Sequence, residues 1–363
     1  MTHGTRIFVG LSGGVDSAVA ALRLVRAGYD VTGVFIKVWQ PPWLSCNWER
    51  ERIDAMRVAA HLRIPFLTCD AEIAYRDAVA AYFVREYAAG RTPNPDVMCN
   101  RHVKFGAFWE FAQHHGADAI ATGHYAQRIK TSEGHYALHR GADPEKDQSY
   151  FLWTLTSEEL AHVRFPTGDS TKADIRAEAA AAGIPTATKR DSQGICFLGA
   201  VDICEFLGHY LDLQPGTLTT PDGTVVGRHR GAACYTLGQR HGLSIEPMTA
   251  AGVPYYVVDT DLSRNVVVVD STPPTVAASS TLTLTDIVDR TGLQTGATLS
   301  VATRYRQNPI PATVTARTDH SVQLELSESV TTPAPGQSCV WYRDTHCLGG
   351  GIIAGDGGSH HEG

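Results

Sequence analysis

Arg6-Ile7-Phe8-Val9-Gly10-Leu11-Ser12-Gly13-Gly14-Val15-Asp16-Ser17, followed by AVAALRLVRA at 18–27, is the stretch whose reading decides the fold. Residues 6–10 are a short apolar run suited to a buried strand. Residues 11–15 form a glycine-rich turn, and 16–27 have helical spacing with Val19, Leu22 and Val25 on one face. Gly28 stands where a helix C-terminal cap is expected. A strand, a turn and a helix in this order make one half of a βαβ unit, and the pattern repeats downstream. Strands are expected at Asp30 to Val38, Pro65 to Cys69 and Asp118 to Thr122. Helices are expected at Glu49 to Leu62, Glu72 to Ala89, Arg101 to His115 and Lys172 to Ala182. Alternation of this kind predicts an α/β fold, a doubly wound parallel sheet covered on both faces.

After about residue 212 the period changes. Short alternating strands are separated by Gly, Pro and Asp turns, as in Val253 to Val269 with a hairpin turn at Asp261 to Arg264. The Ser/Thr/Pro stretch 270–281 reads as a connector, and Leu282 to Ile353 reads as a separate small β-barrel. The expected organisation is therefore a catalytic domain at 1–212, a central β-rich domain at 213–275, a C-terminal β-barrel at 276–355 and a mobile tail at 356–363.

The chain of 363 residues is 43% apolar and 19% charged, ordinary values that exclude wholesale disorder, collagen and coiled coil. Its 31 Lys+Arg against 38 Asp+Glu give a net charge of −7, which excludes a protein that coats nucleic acid by bulk positive charge. It does not exclude a local basic track, for which Lys146, Lys189, Arg190, Arg228, Arg230, Arg240, Arg304 and Arg306 are candidates. No run approaches the roughly 18 to 20 apolar residues of a membrane span, and Met1 to Arg6 contains no apolar leader, so no membrane partner and a cytoplasmic location are expected. The eight cysteines form no CxxC pair, which speaks against a zinc ribbon or a disulfide scaffold.

Between a strand and a helix, the glycines of Ser12-Gly13-Gly14-Val15-Asp16-Ser17 let backbone N–H groups and a positive helix end face an anion. This is a phosphate cradle, yet it is neither GxGxxG nor a Walker motif. In this context the string resembles the PP-loop ATP pyrophosphatase superfamily. That resemblance implies an adenine nucleotide alpha hydrolase-like fold and the use of ATP to adenylate an oxygen that a nucleophile then displaces.

Two cysteines sit in polar turns beside cations. Cys99 lies in Thr92-Pro93-Asn94-Pro95-Asp96-Val97-Met98-Cys99-Asn100, read as a loop just ahead of a helix that carries Arg101 and Lys104. Cys196 lies in DSQGICF at 191–197, after Lys189 and Arg190. Cations and a helix N-terminus favour thiolate, so as a pair these look like a nucleophile and a resolving thiol. The other six, Cys46, Cys69, Cys204, Cys234, Cys339 and Cys347, carry no spacing argument and default to packing.

SGGVDS at 12–17, NPDVMCN at 94–100, GHYA at 123–126, KDQSYFL at 146–152, DSQGICF at 191–197, TLGQR at 236–240, RYRQ at 304–307, PGQS at 335–338 and CLGGGII at 347–353 together resemble the bacterial tRNA-specific 2-thiouridylase family over essentially the whole chain. The resemblance implies ATP-dependent adenylation of the C2 oxygen of a wobble uridine in tRNA, with sulfur replacing that oxygen to give 2-thiouridine. It implies that Gly10, Leu11, Ser12, Gly13, Gly14, Val15, Asp16 and Ser17 bind ATP, with Ile36 and Gly123 lining the nucleotide site. Mg2+ is expected to arrive with ATP rather than in a dedicated protein metal site. Cys196 is implied to carry a persulfide delivered by a cysteine desulfurase or a relay protein. Cys99 is implied to release that sulfur through a transient Cys99–Cys196 disulfide, and Asp96 to act as general acid or base. Asn94, Pro95, Asp96, His124, Lys146, Asp147, Gln148, Arg304, Tyr305 and Gln337 match positions that touch tRNA. Reaching C2 of a stacked base requires flipping it out of the anticodon stack.

The chain departs from the family at Val38, where Asn is usual after the lysine, and at His241, where Lys or Arg is common. Two other classes remain at this point. A PP-loop synthetase of small metabolites explains SGGVDS but gives no role to the two cysteines. A non-enzymatic tRNA-binding or sulfur-carrier protein leaves the phosphate loop without one.

Overall fold

Successive side chains of β1 (Arg6–Gly10) face opposite sides of the sheet, and both sides are apolar. A computed structural model describes residues 4–44, 48–190, 201–245 and 253–355. On one side Ile7 and Val9 pack with Ala18, Val19 and Leu24 of α1 (Val15–Arg26) and with Ala55 and Val58 of α2 (Trp48–Leu62). On the other side Phe8 packs with Val97, Cys99, Val103 and Phe108. Helices on both faces explain why β1 and β2 (Asp30–Lys37) read as continuous apolar runs rather than alternating ones.

With β3 (Phe66–Asp70), β4 (Ala119–Ala121) and a two-residue β7 (Val163–Arg164), these strands form a parallel sheet in the order β3-β2-β1-β4-β7. Because the order runs outward from β1 in both directions, a crevice opens at the carboxyl ends of β1 and β4. That is where sheets of this kind bind ligands. The doubly wound expectation is met. Arg23 clamps α1 to the helix Lys172–Ala181 through Glu178 at 2.8 Å, and to Asp169 ahead of that helix at 2.8 Å.

Two expected helices differ from the sequence reading. The Glu72 to Ala89 helix is Glu72–Tyr75, a wide π-helical stretch Arg76–Ala80, and Ala81–Ala88 in succession. The helix expected from Arg101 instead starts at Pro95 and runs through Pro95–Cys99, π-helical Asn100–Ala107 and Phe108–His114. Pro95 does not break it, because the first helical residue has no use for its N–H. Asn94 caps the helix by accepting from Val97 N–H at 3.3 Å. Cys99 is thus inside a helix and 0% exposed, not in a loop ahead of one.

The hairpin of β5 (Ala126–Lys130) and β6 (Tyr136–Arg140) leaves the parallel sheet, and β6 pairs antiparallel with the strand His346–Ile353. The sequence reading assigns no element there. A second, five-stranded sheet joins Ser244–Ile245, Val225–His229, Gly216–Thr219, Val266–Asp270 and Tyr256–Asp261 in that order. Its hairpin turns at the expected place, with Asp261 Oδ1 accepting from Arg264 N–H at 2.9 Å.

Six strands then close a barrel. Thr281–Asp289 pairs with both Ser321–Leu326 and His346–Ile353, and the ring is completed by Ile310–Arg317, Thr298–Ala302 and Ser338–Arg343. Leu284, Val301, Val314, Leu324, Trp341 and Leu348 fill it. Within 270–281 the short strand Thr275–Val276 pairs with Val330–Thr331. Among the described residues no helix is long and apolar enough to cross a membrane.

Candidate active site

The turn after β1 is tied to the helix it precedes. Ser12 N–H donates to Ser17 Oγ at 3.2 Å, Ser17 Oγ–H donates to Gly14 O at 3.2 Å, and Gly14 N–H donates to Ser12 Oγ at 3.3 Å. Gly13 has φ +73°, and a Cβ there would lie 2.6 Å from Glu51 O of α2, so both backbone conformation and space require glycine. Val15 lies in the apolar core. The loop is therefore rigid and wraps the positive end of α1 around an opening.

That opening is a cavity of about 170 Å3 lined by Gly10, Leu11, Ser12, Asp16, Ser17, Phe35, Ile36, Lys104, Thr122, Gly123, His124 and Gln148. Of the residues expected at ATP, Gly10, Leu11, Ser12, Asp16, Ser17, Ile36 and Gly123 meet here, whereas Gly13, Gly14 and Val15 shape the loop from behind. A Cβ on Gly123 would lie 2.6 Å from Ser17 N, so the strand end can approach α1 only as glycine. His124 and Gln148, expected at tRNA, line this same cavity. Gln148 Oε1 accepts from Tyr125 N–H at 3.0 Å, and His124 Nδ1 pairs with Thr122 Oγ1 at 2.7 Å. Burial, with Lys104 adding repulsion, holds His124 well below the ordinary imidazole range, so it is neutral at pH 7.

Four participants escape sequence reading. Phe35 and Thr122 line the cavity. Tyr125 Oη–H donates to Asp16 Oδ1 at 2.6 Å, and Lys172 Nζ donates to Asp16 Oδ1 at 2.7 Å and Oδ2 at 2.8 Å. Lys172 opens the helix Lys172–Ala181, whose Thr171 and Asp174 form a capping box, and Asp143 Oδ2 accepts its backbone N–H at 2.9 Å. A separation of 156 residues leaves no local signal linking Lys172 to Asp16. Two lysines and a helix N-terminus against one carboxylate suit this crevice to a polyanion. Among the described residues no group of three or more His, Cys, Asp and Glu could hold a metal, and the cavity's Asp16 is already bonded to Lys172 and Tyr125.

The second cluster is built around Thr92 to Cys99. Asn94 is buried as the helix cap, Pro95 is the first helical residue and Asp96, half-exposed, is the second. The same continuous helix carries Cys99 and then Lys104 of the cavity. Cys196, with the rest of 191–200, lies outside the described residues, as do Cys46 and the tail 356–363. Gln337 Nε2 donates to Thr92 O at 2.9 Å and Pro93 O at 3.1 Å. Tyr305 packs on Phe151, ring centroids 4.5 Å apart, and Phe151 O accepts from Asn100 Nδ2 at 3.0 Å. Arg304 is half-buried and donates to Thr332 O at 3.2 Å.

Segment 146–152 links the two clusters, from Gln148 at the cavity to Phe151 beside Tyr305. Asp147 is occupied within it. Its Oδ1 accepts from Gly141 N–H at 2.9 Å and Ser149 N–H at 3.0 Å, and its Oδ2 accepts from Ser149 Oγ–H at 3.0 Å. Lys146 is half-buried beside it.

Of the basic track, Lys189 pairs with Asp54 at 2.8 Å and Arg230 with Asp202 at 2.6 Å, while Arg190, Arg228, Arg240 and Arg306 are exposed. Burial pushes the thiols of Cys69 and Cys339 up to about 12 and raises Cys347, which keeps all three protonated. Cys204 is the exception, lowered chiefly by a hydrogen bond from Cys234.

Three family models match the chain in succession: a tRNA methyl transferase HUP domain over 5–200, a tRNA methyl transferase PRC-barrel domain over 204–271, and an aminomethyltransferase β-barrel domain over 281–353. The tRNA-specific 2-thiouridylase of Shewanella baltica strain OS185 is 45% identical over 360 residues, covering 97% of each chain. A tRNA-specific 2-thiouridylase of Geobacillus kaustophilus is 45% identical over 356 residues, covering 97% of this chain and 95% of its own. A solved 4-thiouridine synthetase–RNA complex with bound ATP aligns with 20% identity and a TM-score of 0.37 over 54% of this chain and 45% of that one. With a phosphate loop at the switch point of a parallel sheet, a thiol-bearing helix entering the same cavity and this similarity along its whole length, the chain belongs to the tRNA-specific 2-thiouridylase family.

Proposed function

We infer that this protein is a tRNA 2-thiouridylase, a sulfurtransferase that converts ATP to AMP and pyrophosphate while replacing O2 of a tRNA wobble uridine by sulfur. The observation that carries this reading is the single helix from Pro95 to His114, which bears Asp96 and Cys99 near its start and places Lys104 in the cavity of the phosphate loop. A small-molecule synthetase has no use for a thiol there.

In this reading the loop amides other than those of Ser12 and Gly14, together with the N-terminus of α1, hold the phosphates of ATP, with Lys172 and Lys104 offsetting their charge and Ile36 and Gly123 bounding the nucleotide. Any Mg2+ would enter bound to the nucleotide and would supply positive charge that screens its phosphates. Uridine O2 attacks the α-phosphorus and pyrophosphate leaves, so a poor leaving group becomes AMP. Asp96 handles the proton at the base. Cys196 carries a persulfide received from a cysteine desulfurase or relay protein. Cys99 thiolate attacks the Cys196 Sγ, the Cys99–Cys196 disulfide forms, and the terminal sulfur departs as hydrosulfide to C2, where AMP is displaced. Two further thiols must then reduce the disulfide. Cys99 is buried, which protects its thiol between turnovers.

The test is incubation with ATP, Mg2+, a sulfur donor confirmed active and unmodified tRNA, followed by nucleoside analysis. Formation of 2-thiouridine with equimolar AMP is expected; its absence would overturn the reading in favour of a small-molecule PP-loop synthetase.

A further inference from the structure

Two distant parts of the chain meet at Thr92 and between them hold three of its polar atoms. Its N–H donates to Pro335 O at 2.8 Å, its carbonyl accepts from Gln337 Nε2 at 2.9 Å, and its hydroxyl meets Thr236 Oγ1 at 2.9 Å. Pro335 and Gln337 belong to the loop between two barrel strands, and Thr236 to the central β-rich region. Both contacts come from turns of one design. Ala334-Pro335-Gly336-Gln337 and Thr236-Leu237-Gly238-Gln239 are each closed by a backbone bond from the fourth residue to the first, at 3.2 and 3.0 Å, with glycine third at φ +89° and +79°. This is a type II turn, in which the third residue must have positive φ. At Gly336 space also forbids a side chain, since a Cβ would lie 2.9 Å from Thr92 O.

The held strap leads directly into chemistry. Gln337 Nε2 spends both its hydrogens on two successive carbonyls, Thr92 O and Pro93 O, and the next residue is Asn94, the cap that starts the helix of Asp96 and Cys99. A residue whose amide hydrogens are both engaged by the protein has no donor left for RNA. We propose that Gln337 is a positioning residue: the barrel's Pro335-Gly336-Gln337 turn fixes where the Asp96–Cys99 helix begins, so the barrel sets the geometry of sulfur transfer rather than only contributing an RNA surface. The proposal rests on the sulfur-transfer reading above for its kinetic consequence but not for its structural one.

The experiment compares wild type with Gln337→Ala and Gly336→Ala. Gly336→Ala strains the turn that presents Gln337, so an RNA-contact role for Gln337 puts the loss in both variants on the tRNA Kd, whereas a positioning role puts it on the rate. Thiolation at saturating tRNA is expected to fall about tenfold or more in both variants, with the tRNA Kd within about twofold of wild type. Alkylation of Cys99 by iodoacetamide, followed by peptide mass spectrometry without ATP or tRNA, is expected to accelerate severalfold as the helix start loosens. Gln337→Asn, one methylene short, should lie between. If Kd rises more than the maximal rate falls, or if neither moves and Cys99 alkylation is unchanged, the proposal is overturned. The alkylation arm needs no turnover, so it decides the matter even should wild type make no 2-thiouridine. It also serves if Gln337→Ala fails to fold, since Gln337→Asn is then read in its place.

Discussion

Lys172 Nζ bonds both carboxylate oxygens of Asp16, at 2.7 and 2.8 Å, and the pair is 13% and 30% exposed at the mouth of the phosphate loop. Removing the lysine charge by Lys172→Met should lower tRNA-dependent AMP formation about 100-fold, the scale of losing one preorganised electrostatic group. Asp16→Ala should lose adenylation as well. Single-turnover AMP release checks both, and a full rate in Lys172→Met would reduce that ion pair to a packing role.

Gly123→Ala places a methyl 2.6 Å from Ser17 N and 2.7 Å from the Asp16 carbonyl carbon, so either β4 or α1 must move. The expected cost is about 1–3 kcal/mol of stability, together with loss of nucleotide binding. Calorimetry and nucleotide titration measure the two. A variant that melts and binds ATP like wild type would show that the crevice is softer than the packing implies.

Cys196→Ser should abolish thiolation while leaving tRNA binding within about twofold, because a hydroxyl cannot carry a persulfide. Cys99→Ser should also abolish turnover yet still accept sulfur on Cys196. Mass spectrometry after loading with a donor separates the two, and full turnover by either variant would sink the sulfur assignments.

Burial holds the imidazoles of His102, His124, His139, His229 and His346 below their ordinary value, His346 down to about 4 with the neighbouring His139 and Arg290 adding repulsion. The folded pKa is depressed, so the unfolded chain takes up protons first as pH falls. Stability is full above about pH 6.5 and, for His346, is lost from there down to about pH 4. After solvent screening this half-exposed ring should account for about 1 kcal/mol. Melting temperature should fall steadily from pH 7 to pH 5, and His346→Gln should flatten the slope. An unchanged slope would mean that these rings accept protons in the folded protein.

Binding of tRNA should weaken linearly on a log–log plot against salt, with a slope of about −4, because several exposed cations displace counterions from phosphates. Lys189→Gln and Arg230→Gln should change that slope little, since Asp54 and Asp202 already hold those cations. Arg240→Gln and Arg306→Gln should each lower it by about one. Filter binding across a salt series distinguishes these outcomes, and a flat dependence would remove the positive track altogether.

The parallel sheet, the phosphate loop and the change to β structure after residue 212 were legible because each rests on local rules: apolar period, glycine in a tight turn, capping residues at helix ends. The start of the Cys99 helix was not, because two prolines read as loop punctuation until Asn94 is seen to cap and Pro95 to occupy the first helical position. By itself the sequence determined which chemistry-bearing residues exist and the local shape of 10–17, since glycine and serine act on their immediate neighbours. Only the tertiary structure decided that Lys172 faces Asp16, that His124 and Gln148 line the same cavity as the glycine-rich loop and that Gln337 holds Thr92. Those pairings cross long stretches of chain, and no residue pattern encodes the packing that brings them together.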